Sequence, residues 1–498
     1  MSLTQLSLSH VTYRYPGTTT PVLSDVNAVF PVGWTGIIGN NGCGKTTLAN
    51  IAAGIIAPDR GSVAPKLFTA YCYQDSTQPP ANLADFALDW SHEAIEARKT
   101  LSLEDDWFWR YDTLSGGQQK RIQIACSLFM RPDVLVMDEP TNDLDAETRI
   151  AFTRTLASFK GIGILISHDR TLLDSLTKQS LLFEDGRWVM RPGGYSKARF
   201  QAESERTTAL EAKAEATREA KRLKQEAQRR REEASRQESK KSKASLAKGD
   251  SDGREKIGCA IYTGKDGVAG KLSATMGRRL SRAQESIAEQ RISKRYDYRL
   301  QQIGQTARSS HVAHLEATTL HAGDFQAHIP DLWISPKDHV ILLGANGTGK
   351  SLVVSALMQR IPATVKTAYI PQEVAIEERR RALARLNELP ADRKGRVLSI
   401  VARLNSDPDR ITNGRDVSPG ELRKIMLAEQ LIDEPHFLVL DEPTNHLDID
   451  SIEALQKLLE GFPGAILLVT HDLALAASVG TIEWRMEREG SASLLVRK

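Results

Sequence analysis

Two glycine-rich segments of this chain have the spacing of a phosphate-binding loop. Residues 39–46 read GNNGCGKT and residues 344–351 read GANGTGKS, and an apolar run leads into each. Glycines let backbone N–H groups surround a phosphate, a lysine adds charge near the outer phosphates, and a hydroxyl can hold Mg²⁺. Two such loops, each followed by a similar acidic strand, predict two nucleotide sites rather than a chance match. The predicted contacts are Gly39, Asn40, Asn41, Gly42, Cys43, Gly44, Lys45, Thr46 and Thr47 in the first loop, and Gly344, Ala345, Asn346, Gly347, Thr348, Gly349, Lys350, Ser351 and Leu352 in the second.

An Asp-Glu pair ends two apolar runs, VLVMDE at 134–139 and FLVLDE at 437–442. Each run reads as a buried parallel strand, whose polar residues emerge at the carboxyl end, where α/β sheets bind ligands. Asp138 and Asp441 would reach Mg²⁺, directly or through water, and Glu139 and Glu442 would polarise an attacking water. The alternative is that these acids only cap the next helix. The glycine loops upstream favour the catalytic interpretation.

Two predicted helix starts could complete these sites. In LSGGQ at 114–118, a serine N-cap followed by glycines exposes N–H groups suited to a terminal phosphate. The equivalent SPGE at 418–421 is a capping box with proline at the first helical position, and it is also a phosphate site, because such a site is a helix N-terminus. Pro419 removes one N–H, and Glu421 is less favourable beside phosphate than Gln118, so we expect weaker or asymmetric nucleotide binding there. The assigned residues are Ser115, Gly116, Gly117 and Gln118 in the first segment and Ser418, Gly420 and Glu421 in the second.

The motifs recur in the same order along the chain. The loops match, the acidic strands match, and ILISHD at 164–169 matches LLVTHD at 467–472. Self-similarity of this kind indicates a duplicated domain. We therefore predict an α/β fold with a first copy at 1–195, a linker at 196–312 and a second copy at 313–498.

Composition narrows the class of protein. With 498 residues and 41% apolar composition, the chain can bury several cores. No apolar run approaches the roughly 18 residues that cross a bilayer, and residues 1–10 lack the layout of a signal peptide, so we expect a cytoplasmic location. The four cysteines form no CxxC pair, which argues against a zinc site or an iron–sulfur cluster.

The predicted linker is basic and helical. Residues 201–310 hold 26 Lys and Arg against 16 Asp and Glu, which suggests contact with a polyanion. The stretch 202–238 lacks proline and glycine and reads as one helix of about 55 Å, and 274–303 reads as a second helix that would pack antiparallel to it. Between them, 240–274 is a basic, glycine-rich loop tip. The alternative is a passive spacer or an exposed charged helix without a partner.

Taken together, these motifs resemble the ATP-binding cassette family. The match includes a glutamine after an apolar strand in YCYQ and YIPQ, and a histidine after another in ILISHD and LLVTHD. The resemblance implies P-loop domains that hydrolyse ATP with Mg²⁺ and dimerise head to tail within the chain, so that each P-loop faces the other copy's signature. Tyr15 lies where the family stacks an aromatic under adenine, or else it is a core tyrosine; the second copy has Leu320 at that offset and only Phe325 nearby. The further residues implied are Gln74 and Gln372 as nucleotide and metal contacts, and His168 and His471 beside the catalytic glutamates Glu139 and Glu442.

Two cassettes joined by a basic two-helix linker resemble the ABC-F family of ribosome-associated ATPases. TNHLD at 444–448 is typical of them, and RPGGYSKARF at 191–200 partly matches their YxGNY element, with Arg191 and Gly194 as departures. The resemblance implies a protein that is monomeric off the ribosome and places its linker against large-subunit RNA and peptidyl tRNA. The short span between Gln74 and Ser115 leaves no room for an arm insertion, which leans towards members that protect ribosomes from antibiotics. The alternative is a tandem ATPase subunit that energises a separate membrane importer.

Overall fold

The structure is a computed structural model. It describes residues 5–141, 146–240, 303–323, 325–372, 374, 376–412, 417–490 and 492–497, with five more positions between 275 and 282. Among these residues, no helix is both long and apolar enough to cross a membrane. The second predicted linker helix and the loop tip lie almost entirely outside the described residues.

The first copy contains two sheets within its described residues. A three-stranded antiparallel sheet has the order β2–β1–β4, and a six-stranded sheet has the order β5–β6–β7–β3–β8–β9. The larger sheet is parallel except for its last pair, where β8 and β9 run antiparallel. The strands are β1 (Gln5–Tyr13), β2 (Leu23–Pro31), β3 (Gly33–Ile38), β4 (Arg60–Ala64), β5 (Thr69–Cys72), β6 (Val134–Asp138), β7 (Ile162–Ile166), β8 (Thr177–Glu184) and β9 (Arg187–Pro192).

Continuous apolar runs account for the centre of this sheet. β6 and β7 are buried at every position, as expected for parallel strands covered on both faces. One core cluster packs β1, β2 and the first helix against these strands. Burial of each large aliphatic side chain contributes about 1.5–3 kcal/mol. The helices are α1 (Lys45–Ala52), α2 (Leu83–Leu88), α3 (His92–Thr100), α4 (Gly116–Phe129), α5 (Ala146–Ala157) and α6 (Arg170–Leu176).

The second copy repeats this plan. In the part of it that the structure describes, an eight-stranded sheet has the order β11–β12–β19–β18–β14–β17–β16–β15, and β10 pairs with β13. Its strands are β10 (Ala313–Leu315), β11 (Thr318–Ala322), β12 (Phe325–Ile329), β13 (Leu332–Ile334), β14 (His339–Gly344), β15 (Thr367–Ile370), β16 (Phe437–Asp441), β17 (Ala465–Val469), β18 (Ile482–Glu489) and β19 (Ala492–Arg497). Its helices are α8 (Lys350–Met358), α9 (Ile376–Glu388), α10 (Ala391–Arg403), α11 (Pro408–Thr412), α12 (Pro419–Leu431), α13 (Ile449–Glu460) and α14 (Leu473–Val479). The predicted α/β fold of two tandem copies is confirmed.

The two copies form one compact unit, made of Met1–Ala198 and Arg295–Lys498. Residues Arg199–Lys294 form a second unit. The helix predicted over 202–238 is confirmed as part of α7 (Tyr195–Lys240). It contains no proline or glycine that would interrupt it. The predicted domain boundaries remain a proposal.

Candidate functional site

The first glycine loop connects β3 to α1. Gly42 and Gly44 adopt left-handed φ values of 80° and 98°, and a side chain at Gly44 would lie 2.8 Å from Val22 Cγ1. Lys45 is buried, and its Nζ donates to the carbonyl oxygens of Gly39 (2.7 Å) and Asn40 (3.2 Å). No side chain caps the start of α1, so its N–H groups face the loop that the sequence predicts for phosphate.

The second glycine loop has the same construction between β14 and α8. Lys350 Nζ donates to the carbonyl oxygens of Gly344 (2.8 Å) and Ala345 (3.1 Å) and lies 3.2 Å from His471 Nε2. That histidine nitrogen is also 3.1 Å from Asn346 Oδ1. The buried Thr348 hydroxyl donates to Ala345 and closes the loop at 2.8 Å. Both loops therefore present a lysine held by the loop's own carbonyl groups.

The predicted metal aspartates end β6 and β16 and are buried. Asp138 accepts hydrogen bonds from Thr46 and from the Tyr71 hydroxyl (3.1 Å), and Asp441 accepts one from Ser351 Oγ (3.3 Å). Burial raises the pKa of both carboxyl groups, although these hydrogen bonds oppose the shift. Mg²⁺ prefers hard oxygen ligands, and a hydroxyl next to a carboxylate supplies two of them. The residues present thus fit the metal that the sequence predicts.

The predicted catalytic glutamates follow the aspartates in a strained conformation. Glu139 and Glu442 both have a φ of 47°, in the left-handed region that costs a non-glycine residue about 1–2 kcal/mol. In each, Oε2 accepts a hydrogen bond from the backbone N–H of a histidine. The donor is His168 for Glu139 (3.2 Å) and His471 for Glu442 (3.3 Å). Each Oε1 lies 3.2 or 3.4 Å from the histidine Nε2, yet it has no hydrogen-bond partner among the described residues. This buried oxygen therefore has the capacity to accept a further hydrogen bond.

Burial is the largest cause of the pKa shifts of both glutamates and of His168. It raises the pKa of Glu139 to about 8 and that of Glu442 to about 7, and the neighbouring lysines oppose the shift. Burial and the charge of Lys45 both lower the pKa of His168. A neutral imidazole beside the carboxyl group is therefore favoured in the first site.

Both signature segments begin a helix with a complete capping box. Ser115 Oγ accepts from the Gln118 N–H (3.4 Å) while Gln118 Oε1 accepts from the Ser115 N–H (3.0 Å). Ser418 and Glu421 make the same reciprocal pair at 3.2 and 2.9 Å, and Pro419 is the first residue of α12. A side chain at Gly420 would collide with the His446 carbonyl oxygen at 2.4 Å.

A cavity of about 900 Å³, here called the first cavity, lies between the two copies. The P-loop of the first copy lines this cavity. Across the interface, the backbone N–H of Asn41 donates to the carboxylate of Asp448 (3.1 Å), and the side-chain amide of Asn41 donates to the carbonyl oxygen of His446 (3.1 Å). Tyr15 lines this cavity, is 40% exposed and lies 2.9 Å from Thr47 Oγ1, which excludes the core interpretation of this tyrosine. The predicted residues that the structure brings together here are Tyr15, Asn41, Gly42, Gly44, Lys45, Thr46, Thr47, Gln74, Asp138, Glu139 and His168, with Ser418, Gly420 and His471 from the second copy.

A smaller cavity of about 440 Å³, the second cavity, contains the second P-loop. Phe325 lines this cavity and Leu320 is not among its described lining residues, although both side chains pack against the same core cluster. Ser115 and Gly117 are not among the lining residues that the structure describes, so the first signature segment is not brought to this cavity. The lining includes Arg149 of the first copy, which sequence reasoning missed. The predicted residues gathered here are Asn346, Gly347, Gly349, Lys350, Ser351, Leu352, Gln372, Glu442 and His471.

Comparison with known proteins agrees with this geometry. The ABC transporter family matches residues 24–142 and 328–445. The tylosin resistance ATP-binding protein TlrC of Streptomyces fradiae is 29% identical, over 94% of each chain. The energy-dependent translational throttle protein EttA of Mycobacterium tuberculosis is 26% identical over 91% of this chain and 86% of its own. The ribosome protection protein VmlR of Bacillus subtilis is 25% identical over 94% of this chain and 84% of its own.

Solved structures show the same fold. An archaeal ribosome recycling factor, aABCE1, in complex with the ribosomal stalk protein aP1, has a TM-score of 0.62 at 18% identity, covering 98% of this chain and 89% of its own. The RNase-L inhibitor has a TM-score of 0.62 at 16% identity, covering 98% and 90%. The two family matches show that this chain carries two ABC transporter domains in tandem, and its near full-length relatives are ABC-F proteins.

Proposed function

We propose that this protein binds the ribosome in its ATP-bound state, acts on translation and hydrolyses ATP to ADP and phosphate at two sites. The first cavity carries the proposal, because it joins one copy's P-loop, aspartate, glutamate and histidine to the other copy's Ser418 and Gly420. A nucleotide in such a cavity would hold the copies together. Hydrolysis would release them, which couples turnover to a change in the molecule's shape.

The chain's own residues supply the parts that phosphoryl transfer needs. Lys45 and Lys350 would balance charge on the outer phosphates, and the N–H groups at the start of α1 and α8 would bind them. Thr46 with Asp138, and Ser351 with Asp441, would hold Mg²⁺, which neutralises charge that develops on the phosphate oxygens. In this proposal Gln74 and Gln372 complete the metal and nucleotide contacts.

Each catalytic glutamate would orient the attacking water through the Oε1 that has no hydrogen-bond partner among the described residues. The N–H of His168 or His471 fixes the other oxygen. This arrangement leaves one acceptor oriented for a water and holds the carboxyl group in a single position. Tyr15 would stack on adenine in the first site. Phe325 would serve in the second.

Ribosome binding is proposed from the linker and from the relatives. Two relatives are a translational throttle and a ribosome protection protein, and a third confers tylosin resistance by its name. The basic segment 201–310 would contact large-subunit RNA and peptidyl tRNA, because RNA offers closely spaced phosphates to lysine and arginine. Ribosomal protection against an antibiotic and a cytoplasmic location follow from the same proposal.

Co-sedimentation tests the ATP-bound state. Replacing Glu139 and Glu442 with glutamine keeps the shape of both sites and should abolish turnover while ATP binding persists. We expect this variant to pellet with 70S ribosomes in ATP but not in ADP, more strongly than the wild type. A variant that pellets with membranes and ignores ribosomes would instead support the ATPase subunit of an importer.

Charge reversal on α7 tests the linker contact. Arg218, Arg222 and Arg229 are exposed and fall within one narrow face of the helix, at spacings of four and seven residues. Reversing all three to glutamate should weaken ribosome binding and flatten its dependence on salt, because phosphate contacts are lost.

The matched control reverses Arg14, Arg187 and Arg396, which are exposed outside the linker. It changes net charge by the same amount, so we expect ribosome affinity within about twofold of the wild type. Equal losses in both variants would show that ribosome binding depends on overall charge and not on the linker.

A further inference from the structure

Arg149 of the first copy lies at the second nucleotide site. It is on α5, and its guanidinium donates to the carbonyl oxygens of His471 (3.2 Å) and Thr141 (3.4 Å). Its Nη1 is 3.5 Å from Asp169 Oδ2. It lines the second cavity together with Lys350, and it also lines the first cavity. A cation of one copy therefore reaches the loop that carries the other copy's catalytic histidine.

The two copies differ at this position. DEPTNDLDAETR at 138–149 aligns with DEPTNHLDIDSI at 441–452, so the counterpart of Arg149 is Ile452. Ile452 is 3% exposed and lines the first cavity. An isoleucine side chain has no donor, so it makes no such bond to the loop of His168. The duplicated sites are thus completed by chemically different residues.

A second arginine repeats the difference. Arg170 of the first copy donates across the interface to Gln456 Oε1 (3.1 Å) and to Asp472 Oδ2 (3.5 Å). Its counterpart in the other copy, by alignment of SHDR with THDL, is Leu473, which is 53% exposed. Asp472 directly follows His471 in the chain. Two cations from the first copy therefore hold the 471–472 loop, and two apolar side chains occupy the equivalent places.

The chemistry of arginine suits this position. Its planar guanidinium carries five donors, so it can bond several acceptors in fixed directions at once, which a lysine cannot do. His471 in turn donates its N–H to Glu442 Oε2 at 3.3 Å. A hydrogen-bonded path thus leads from α5 of the first copy through the His471 backbone to the catalytic glutamate of the second site.

We propose that Arg149 is a positioning residue for ATP hydrolysis at the second site, supplied in trans by the first copy. Arg149 binds the carbonyl group of His471 and so fixes the position of that residue. The backbone N–H of His471 in turn orients Glu442. The second site then becomes competent only when α5 of the first copy is docked against it. At the first site the equivalent position is Ile452, which cannot donate a hydrogen bond to the loop of His168. This inference rests on the proposed ATPase function.

Site-resolved trapping tests the inference. The variants are Arg149→Ala, Arg149→Lys and the control Lys160→Ala, which removes an exposed positive charge just after the same helix, outside the described lining of both cavities. Each full-length protein is given 8-azido-ATP with Mg²⁺, with or without orthovanadate, photolabelled and cut at a protease site introduced within 241–270. The label on each copy is then measured separately.

We expect Arg149→Ala to lower vanadate-trapped ADP on the second copy about tenfold, while 8-azido-ATP binding there without vanadate changes less than about threefold. Trapping on the first copy and all readouts of Lys160→Ala should stay within about twofold. Arg149→Lys should recover part of the loss. Equal losses at both sites, or a loss of binding as large as the loss of trapping, would overturn the inference.

Amide hydrogen exchange gives a readout that needs no turnover. In nucleotide-free protein, Arg149→Ala should speed exchange in a peptide covering 470–475, because the loop loses its donor, and Lys160→Ala should not. Unchanged exchange would contradict the positioning role. Wild-type protein that traps no nucleotide at either site contradicts the proposed hydrolysis, whereas wild-type trapping matched by Arg149→Ala contradicts the inference alone.

Discussion

At the residue scale, Glu139 and Glu442 occupy positions that are unfavourable for the fold and suited to catalysis. Each combines a left-handed backbone with a buried carboxyl group, one oxygen of which has no hydrogen-bond partner in the described structure. Strain of this kind persists where surrounding structure imposes it, and it concentrates at functional sites. The hydrogen bond that each glutamate accepts from a histidine backbone N–H is one such constraint.

These glutamates should make stability depend on pH. Their pKa values are about 8 and about 7 in the folded protein, against about 4.3 when unfolded. The folded state therefore holds protons more tightly, and the stability that these groups contribute is present below pH 4.3 and lost as pH rises through 7 to 8. The double variant Glu139→Gln with Glu442→Gln avoids that loss. Without nucleotide or Mg²⁺, its Tm should match the wild type near pH 5 and exceed it by a few degrees at pH 8.5.

Thermal unfolding across this pH range supplies the measurement. The double variant Glu316→Gln with Glu388→Gln removes two exposed carboxylates and serves as the control. Its Tm should follow the wild type at both pH values. A catalytic variant whose Tm difference does not grow with pH would mean that the two glutamates are ionised in the folded protein.

At the element scale, the starts of α4 and α12 look alike locally and lie in different surroundings. Both have a serine N-cap and a complete capping box. Ser418, Pro419 and Gly420 line the first cavity, whereas Ser115 and Gly117 are absent from the described lining of the second. The same helix start therefore lines a cavity that contains a P-loop in one case only, among the described lining residues. Glu421 places a carboxylate in the first turn of that helix.

Exchanging the third residue of these helices tests this difference. Glu421→Gln keeps a side-chain acceptor for the Ser418 N–H and removes a negative charge near bound phosphate. We expect ATP to bind the first P-loop about two- to fivefold more tightly, the effect of one charge at a helix terminus. Gln118→Glu should change ATP affinity at the second P-loop less than about twofold, because its helix start lies outside that cavity. Site-resolved photolabelling measures both, and equal effects of opposite sign would place both signature segments at phosphate.

At the scale of the whole molecule, two copies of one sequence plan enclose two different sites. The first cavity has about 900 Å³ and includes the other copy's signature segment, whereas the second has about 440 Å³ and includes no signature segment in its described lining; Arg149 lines both. Lys350 lies 3.2 Å from the His471 ring. Asn41 of the first P-loop donates hydrogen bonds to Asp448 and His446 of the second copy. We therefore expect the two sites to differ in affinity and in turnover.

Removing each P-loop lysine measures that difference. Lys45→Ala and Lys350→Ala each delete one buried charge, and both losses should weaken nucleotide binding. Because the cavities differ, the two variants should have unequal effects on ATP affinity and on turnover, measured by photolabelling and by phosphate release. Lys160→Ala, outside the described lining of both cavities, controls for the loss of one positive charge. Equal losses in both measures would mean that the differences in lining have no functional effect.

The sequence alone predicted the features of this protein that depend on local residue patterns. Glycine spacing predicts the two P-loops, apolar runs ending in Asp-Glu predict the buried strands β6 and β16, and serine N-caps predict the starts of α4 and α12. The structure contains all of them. Such features depend on residues a few positions apart, so a short stretch determines them. The prediction of α7 succeeds for the same reason.

The contacts between copies were decided by tertiary structure alone. Sequence offset points to Leu320, but packing places Phe325 at the second cavity, and no local pattern marks Arg149 as a residue of the other copy's site. The left-handed backbone of Glu139 and Glu442 also depends on neighbours far away in the chain. A sequence motif carries the chemistry of its own loop. Which partner completes that loop depends on how two folded surfaces dock, and that is set by many weak contacts between residues hundreds of positions apart.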